Sequence, residues 1–178
     1  MDKKYIMLLV VVAVLAGAVV WTAALSAADS TNDKKLIKDY YYSENTVLMS
    51  PHDYIKEKQS GENDTILVDL RTSAEYQTLH LATAINIPAA QMGSSDVVAA
   101  FSQLPKDKTI VIHCYASYCM LAKNVGKLLV DSGIYVREMT AGWLEIKRDY
   151  SDFLVNGTEP GEIDLVAPTG CANGELDC

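Results

Sequence analysis

The sequence predicts an α/β fold: a mostly parallel, five-stranded sheet with helices on both faces, preceded by an N-terminal transmembrane or signal helix. Three observations carry this expectation. Short apolar runs alternate with helix-patterned segments across short connections from Thr46 to Val155, the pattern of a sheet sandwiched between helix layers. Thr65–Leu70 is apolar on both faces, as parallel strands are when both sides of the sheet are covered. Ahead of these, Tyr5 to Ala28 contains no charged residue.

That first run comes after Lys3 and Lys4. At about 1.5 Å per residue, a helix over it reaches about 36 Å, enough to cross a bilayer's hydrocarbon core. Two readings are open. The whole of residues 1–28 forms an uncleaved anchor, or Ile6–Val20 is the apolar region of a signal peptide cut near Ala24-Leu25-Ser26 or Ser26-Ala27-Ala28. The length of the run favours the anchor. Either reading exports the remainder of the chain, so the domain is expected outside the cytoplasm, membrane-anchored or, after cleavage, secreted or periplasmic. Lys34, Lys35 and Lys38 beyond the run weaken the charge asymmetry that would fix its orientation. Residues 29–45 mix charges with Ser, Thr and Asn and read as a polar tether, with a short amphipathic helix over Lys34–Tyr42 as the alternative.

The folded domain is expected over residues 46–155. Thr46–Met49 is a brief strand, and Ser50-Pro51 is a helix-start signature, so a helix runs from Pro51 to about Gln59 before Gly61 breaks it. Thr65–Leu70 is the second strand, Ala74–Leu79 a short helix, and Ala84–Ile87 a strand stopped by Pro88. Ser94–Leu104 is helical, with Val97, Val98, Phe101 and Leu104 at helical spacing. Thr109–His113 is the fourth strand, Met120–Val130 a helix, Tyr135-Val136 the start of the fifth strand, and Gly142–Val155 the last helix. Residues 156–178 are acidic and rich in Gly and Pro, and read as a flexible tail outside the core.

At 178 residues and a net charge of −8, the chain accommodates one domain with a real core and disfavours nucleic acid as a partner, since phosphates need a basic surface. Its chemistry concentrates in Ile110–Met120, where an apolar strand ends at Cys114, a small-residue loop intervenes, and a helix begins. Ligand sites of parallel sheets lie at the carboxyl ends of the strands. Backbone N–H groups at such a helix start point into the loop and favour a thiolate or bound anion. The same pattern also fits a buried structural cysteine. Cys119 lies five residues on, and its sulfur would approach Cys114 if the loop curls. At the far end, Cys171 and Cys178 flank a short segment containing Asn-Gly and are expected to close a small disulfide, or to serve as mobile thiols. With no histidine nearby they make a poor zinc site, and neither a metal nor a cofactor is expected.

Four pieces in order then resemble one family. Asp69-Leu70-Arg71 with Glu75-Tyr76, His80 through Pro88, Leu104 through Lys108 before the cysteine strand, and Ala141-Gly142-Trp143 are similar to a rhodanese domain, over about residues 46–155. The resemblance implies a five-stranded parallel sheet and covalent chemistry at Cys114, which takes a sulfane sulfur from a small donor as a persulfide and passes it to a thiol acceptor. It makes Tyr115, Ala116, Ser117, Tyr118, Cys119 and Met120 the substrate-binding loop, with Asp69 and Arg71 supporting it. Ser117 is expected to donate a hydroxyl or to cap the helix. His80 and His113 are expected to have packing roles.

The departures from the family pattern are informative. Active thiosulfate-using members commonly carry arginine at the loop's sixth position, here Cys119, and no Lys or Arg occurs between Lys108 and Lys123. A doubly charged donor therefore loses a bidentate partner. Phosphatases of related fold carry arginine at the seventh position, here Met120. The expected function is an extracytoplasmic, sulfur-handling protein acting through a Cys114 persulfide. The alternatives are a thiol-redox protein cycling a Cys114–Cys119 disulfide and a non-catalytic rhodanese-like module that binds an unknown protein partner or senses redox state.

Overall fold

The computed structural model of the chain describes residues 3–165, with backbone only for Leu9 and for residues 17–31. The chain divides into two units, residues 1–45 and residues 46–178. The first unit is one long helix, α1 (Lys3–Val47), which ends just inside the second. The stretch expected as a polar tether is thus helical. It contains no Gly or Pro from Asp29 to Val47, and its charged and aromatic side chains pair one turn apart: Lys35 with Asp39 at 2.7 Å and Tyr40 with Glu44 at 2.8 Å. Among the described residues no helix is long and apolar enough to cross a membrane, so the expected transmembrane span is not found there. Much of that expectation, from Gly17 to Ala28, falls outside the described side chains.

The second unit holds the predicted sheet. Its strands are β1 (Leu48–Met49), β2 (Thr65–Asp69), β4 (Ile85–Asn86), β5 (Thr109–His113) and β6 (Val136–Met139). They run in the order β1-β6-β5-β2-β4, all parallel. Alternate residues along a strand face opposite layers, and the core divides accordingly. Leu67, Val111 and Met139 pack with Tyr54 and Ile55 of α2 (Pro51–Gln59), Tyr76 of α3 (Ser73–Thr78) and Ile146 of α6 (Trp143–Asp149). Val68, Ile110 and Ile112 pack with Val97 and Phe101 of α4 (Ser94–Ser102) and with Ala122, Val125 and Leu129 of α5 (Met120–Asp131).

Two regions depart from expectation. The last helix stops at Asp149, and the chain passes through a 3-10 turn (Ser151–Phe153) into a strand, β7 (Leu154–Val155), which pairs antiparallel with β3 (His80–Leu81). The segment beyond Val155, expected to be free of the core, begins as part of it. Gly157 N–H donates to Gln77 O, Thr83 N–H donates to Pro160 O, and Ile163 is 9% exposed within the α2/α3/α6 layer. An apolar side chain so placed leaves water, and the backbone around it gains partners. Cys171 and Cys178 lie outside the described residues.

Candidate active site

Strand β5 ends at His113, and Cys114 comes next at the carboxyl edge of the sheet, between the ends of β2 and β6. Cys114 is 2% exposed. The chain then turns through Tyr115–Cys119, closed by Cys119 N–H donating to Ala116 O at 2.9 Å, and enters α5 with Cys119 at its cap position. Backbone N–H groups of Tyr115 and Ala122 are directed at the Cys114 sulfur. Those of Leu121, Tyr115 and Ala122 are directed at the Cys119 sulfur. The Cys114 thiol lies 3.9 Å from Cys119 O, so Cys119 packs against it. Both are free thiols.

The two sulfurs therefore titrate as a pair that shares a proton. Burial, together with the neighbouring Cys119, pushes the Cys114 thiol up to about 12. Burial opposes ionisation of Cys119 too, but the neighbouring Cys114 and the surrounding N–H groups outweigh it and bring its thiol below the usual range. The first negative charge placed on the pair thus rests toward the more exposed sulfur.

The loop is held from α6. Cys114 O and Tyr115 O accept from Trp143 N–H at 2.7 Å and Leu144 N–H at 3.0 Å. A Cβ at Gly142 would lie 2.2–2.3 Å from the Ala116 backbone, so only glycine permits this approach. Glu145 accepts from Gly142 N–H at 3.0 Å, from Ser117 Oγ at 3.1 Å and from Ser117 N–H at 3.3 Å. On the other flank Tyr115 Oη donates to Glu75 at 2.8 Å. Ser117 thus neither caps α5 nor faces the sulfurs. Ala116 is buried against Gly142, while Tyr118 and Met120 are exposed.

Hydrogen bonds hold both flanking carboxyls ionised. Glu75 is lowered first by Thr72 and also by Tyr115; in Glu145 slight burial is outweighed by its own N–H, Ser117 and Gly142. Sequence reading missed both as site residues. A signal existed for Glu75, because Thr72-x-x-Glu75 is a capping-box pattern, and that box forms.

Asp69 and Arg71 sit at the neighbouring end of β2 and make a brace rather than a substrate contact. Arg71 is 2% exposed, is bound to Asp69 by bonds of 2.6–3.1 Å, donates to Leu79 O at 2.9 Å, and lies 3.8 Å from the Trp143 ring centroid. Burial works against the Asp69 carboxylate, but nearby His113 and the Arg71 guanidinium hold it below the usual range. Arg71 dominates that pairing, because His113 lies farther off at 3.7 Å and full burial lowers its own affinity for a proton. His80 is also buried, its ring stacked on Tyr76 and bonded to the carbonyls of Tyr76 and Glu159.

Fold and site together define a class: single parallel α/β domains that present an unpaired cysteine in a backbone-lined loop at the carboxyl edge of the sheet. The Rhodanese-like domain family model matches residues 50–149, and the chain belongs to that family. It is 34% identical over 105 residues to an HTH-type transcriptional regulator of Mycobacterium tuberculosis, covering 56% of this chain and 43% of that protein. It is 35% identical over 83 residues to a tRNA sulfurtransferase of Pyrobaculum aerophilum, covering 46% of this chain and 16% of that one. The chain therefore spans less than half the length of these curated relatives. Among solved structures, the BH2092 protein of Bacillus halodurans superposes with a TM-score of 0.59 at 23% identity, over 76% of this chain and 95% of that one. This last likeness concerns the fold.

Proposed function

We propose that the domain is a sulfurtransferase that carries sulfane sulfur as a Cys114 persulfide. The observation that carries this reading is the position of the Cys114 sulfur: at the end of a central strand, inside a loop whose Tyr115 and Ala122 N–H groups are directed at it. Those donors stabilise the negative charge of a thiolate or persulfide without a cationic side chain. In the reaction, Cys114 Sγ passes its proton to the Cys119 thiolate as it attacks the outer sulfur of a persulfide or polysulfide. A new S–S bond forms, and the donor leaves as a thiolate or shortened polysulfide. A thiol acceptor then removes the outer sulfur.

The donor class is set by charge. Arg71 is committed to Asp69, and Glu75 and Glu145 flank the loop, so a thiosulfate dianion meets two carboxylates and no guanidinium. A donor of lower charge is favoured. The domain works outside the cytoplasm, held or exported by the uncharged N-terminal run; the support for this is the sequence pattern of Tyr5–Ala28 behind Lys3 and Lys4.

Intact-mass spectrometry of the full chain, exposed separately to a polysulfide, a small-molecule persulfide and thiosulfate, tests the reading. One added sulfur atom from the first two donors at the earliest times, little from thiosulfate, and none in Cys114→Ser is the expected result. An adduct that survives in Cys114→Ser, or none in any form of the chain, would overturn it.

A further inference from the structure

We infer that Cys119 is a resolving thiol built into the same loop, so that the domain can discharge the Cys114 persulfide as sulfide and close a Cys114–Cys119 disulfide. The inference rests on the proposed persulfide and adds a second reacting residue and a second product. Three observations converge on it. Cys119 lies against the Cys114 thiol, its carbonyl oxygen 3.9 Å from Cys114 Sγ. It stands at the α5 cap position, where the helix-start N–H groups of Leu121 and Ala122 are directed at its sulfur. It is also less buried than Cys114.

The contact selects which sulfur is attacked. Cys119 lies against Cys114 Sγ itself, through a 3.9 Å contact of its carbonyl, and that sulfur becomes the inner sulfur of the persulfide. A Cys119 thiolate attacking there forms the Cys114–Cys119 S–S bond and breaks the bond to the outer sulfur, which leaves as hydrosulfide. The outer sulfur is reduced, the two cysteines are oxidised by the matching two electrons, and the proton carried by the persulfide departs with the hydrosulfide. A dithiol reductant then reopens the disulfide by ordinary exchange. The loop N–H groups that face both sulfurs stabilise the charge as it moves from Cys119 to the leaving sulfur.

The test is a single turnover of the full chain without oxygen, started with one equivalent of polysulfide. Released sulfide, intact mass and disulfide-linked peptides are measured over time in the wild type, Cys119→Ser and Cys119→Ala. The wild type should release sulfide and lose two hydrogens, with Cys114 and Cys119 recovered as a linked pair. Both variants should hold the added sulfur at least about tenfold longer, because an intramolecular attack has been removed. A wild-type persulfide as long-lived as that of the variants would overturn the inference and leave the sulfurtransferase reading standing. Absence of any adduct in Cys119→Ser and Cys119→Ala would instead remove the persulfide itself, and both readings with it. Peptide mapping of the wild type does not depend on how well either variant folds.

Discussion

Two neighbourhoods meet at the carboxyl edge of the sheet, and they handle charge in opposite ways. At the end of β2, Asp69 and Arg71 form an ion pair that is almost completely buried and is satisfied internally, by Leu79 O and by the Trp143 face. One strand away, the Cys114 loop has no cationic side chain and relies on backbone N–H groups and a second thiol. A guanidinium near the loop cysteine thus need not serve it. Arg71 fixes Trp143, and the backbone of α6 that begins at Trp143 holds the loop, so the ion pair acts on the cysteine only through packing.

This contrast is tested hardest by removing one partner of the pair. Asp69→Ala leaves the Arg71 charge buried and uncompensated, and urea unfolding should show a loss of about 3–5 kcal/mol. Below the unfolding transition the surviving native molecules should still load sulfur at Cys114. A specific loss of loading without loss of stability would make Asp69 part of the chemistry. Next comes the loop's seat. Gly142→Ala forces a methyl into the Ala116 backbone and should cost about 1–3 kcal/mol. It should also slow sulfur loading by about tenfold or more as the loop N–H groups shift from the sulfurs. Unchanged loading would mean that those groups do not matter.

A third experiment separates the two titrating groups of the brace. His113 is buried and its proton affinity is lowered, so it charges more readily in the unfolded chain. Its contribution to stability is complete above about pH 6.5 and is lost as pH falls below that value. Asp69, also lowered, contributes above about pH 4 and is lost as pH falls through its folded value. Stability measured against pH should therefore decline in two limbs, and His113→Gln should erase the upper one while sparing the lower. The smallest effect is expected on the loop's flank. Glu145→Gln removes one half-buried negative charge beside Ser117 and should speed loading from thiosulfate about two- to fivefold at low salt, as charges near the surface contribute about 0.3–1 kcal/mol. The gain should vanish at high salt, and loading from a singly charged persulfide should move less.

How much of this was legible in the sequence depends on range. The five sheet strands and the placement of Cys114 could be read because apolar runs and helix starts are local signals, and Ser50-Pro51 and Thr72-x-x-Glu75 act as caps where the sequence suggests. The partners of Glu145 and Glu75 could not, because Ser117 lies 28 residues from one and Tyr115 lies 40 residues from the other. The β3–β7 pair was missed for a different reason. Two-residue strands leave no periodicity, and Leu154-Val155 extends what looks like a helix. The helix over residues 29–45 was obscured by polar composition, which weighs against burial but not against turn-to-turn pairing.

The inward packing of Ile163 has a practical meaning for anyone moving this domain between proteins. The family match ends at residue 149, yet β7 and Ile163 belong to the same packed layer as α2 and α6. A fragment trimmed to the family boundary would leave β3 without its partner and open the layer beneath Tyr54 and Tyr76. A portable unit therefore has to keep β7 and Ile163.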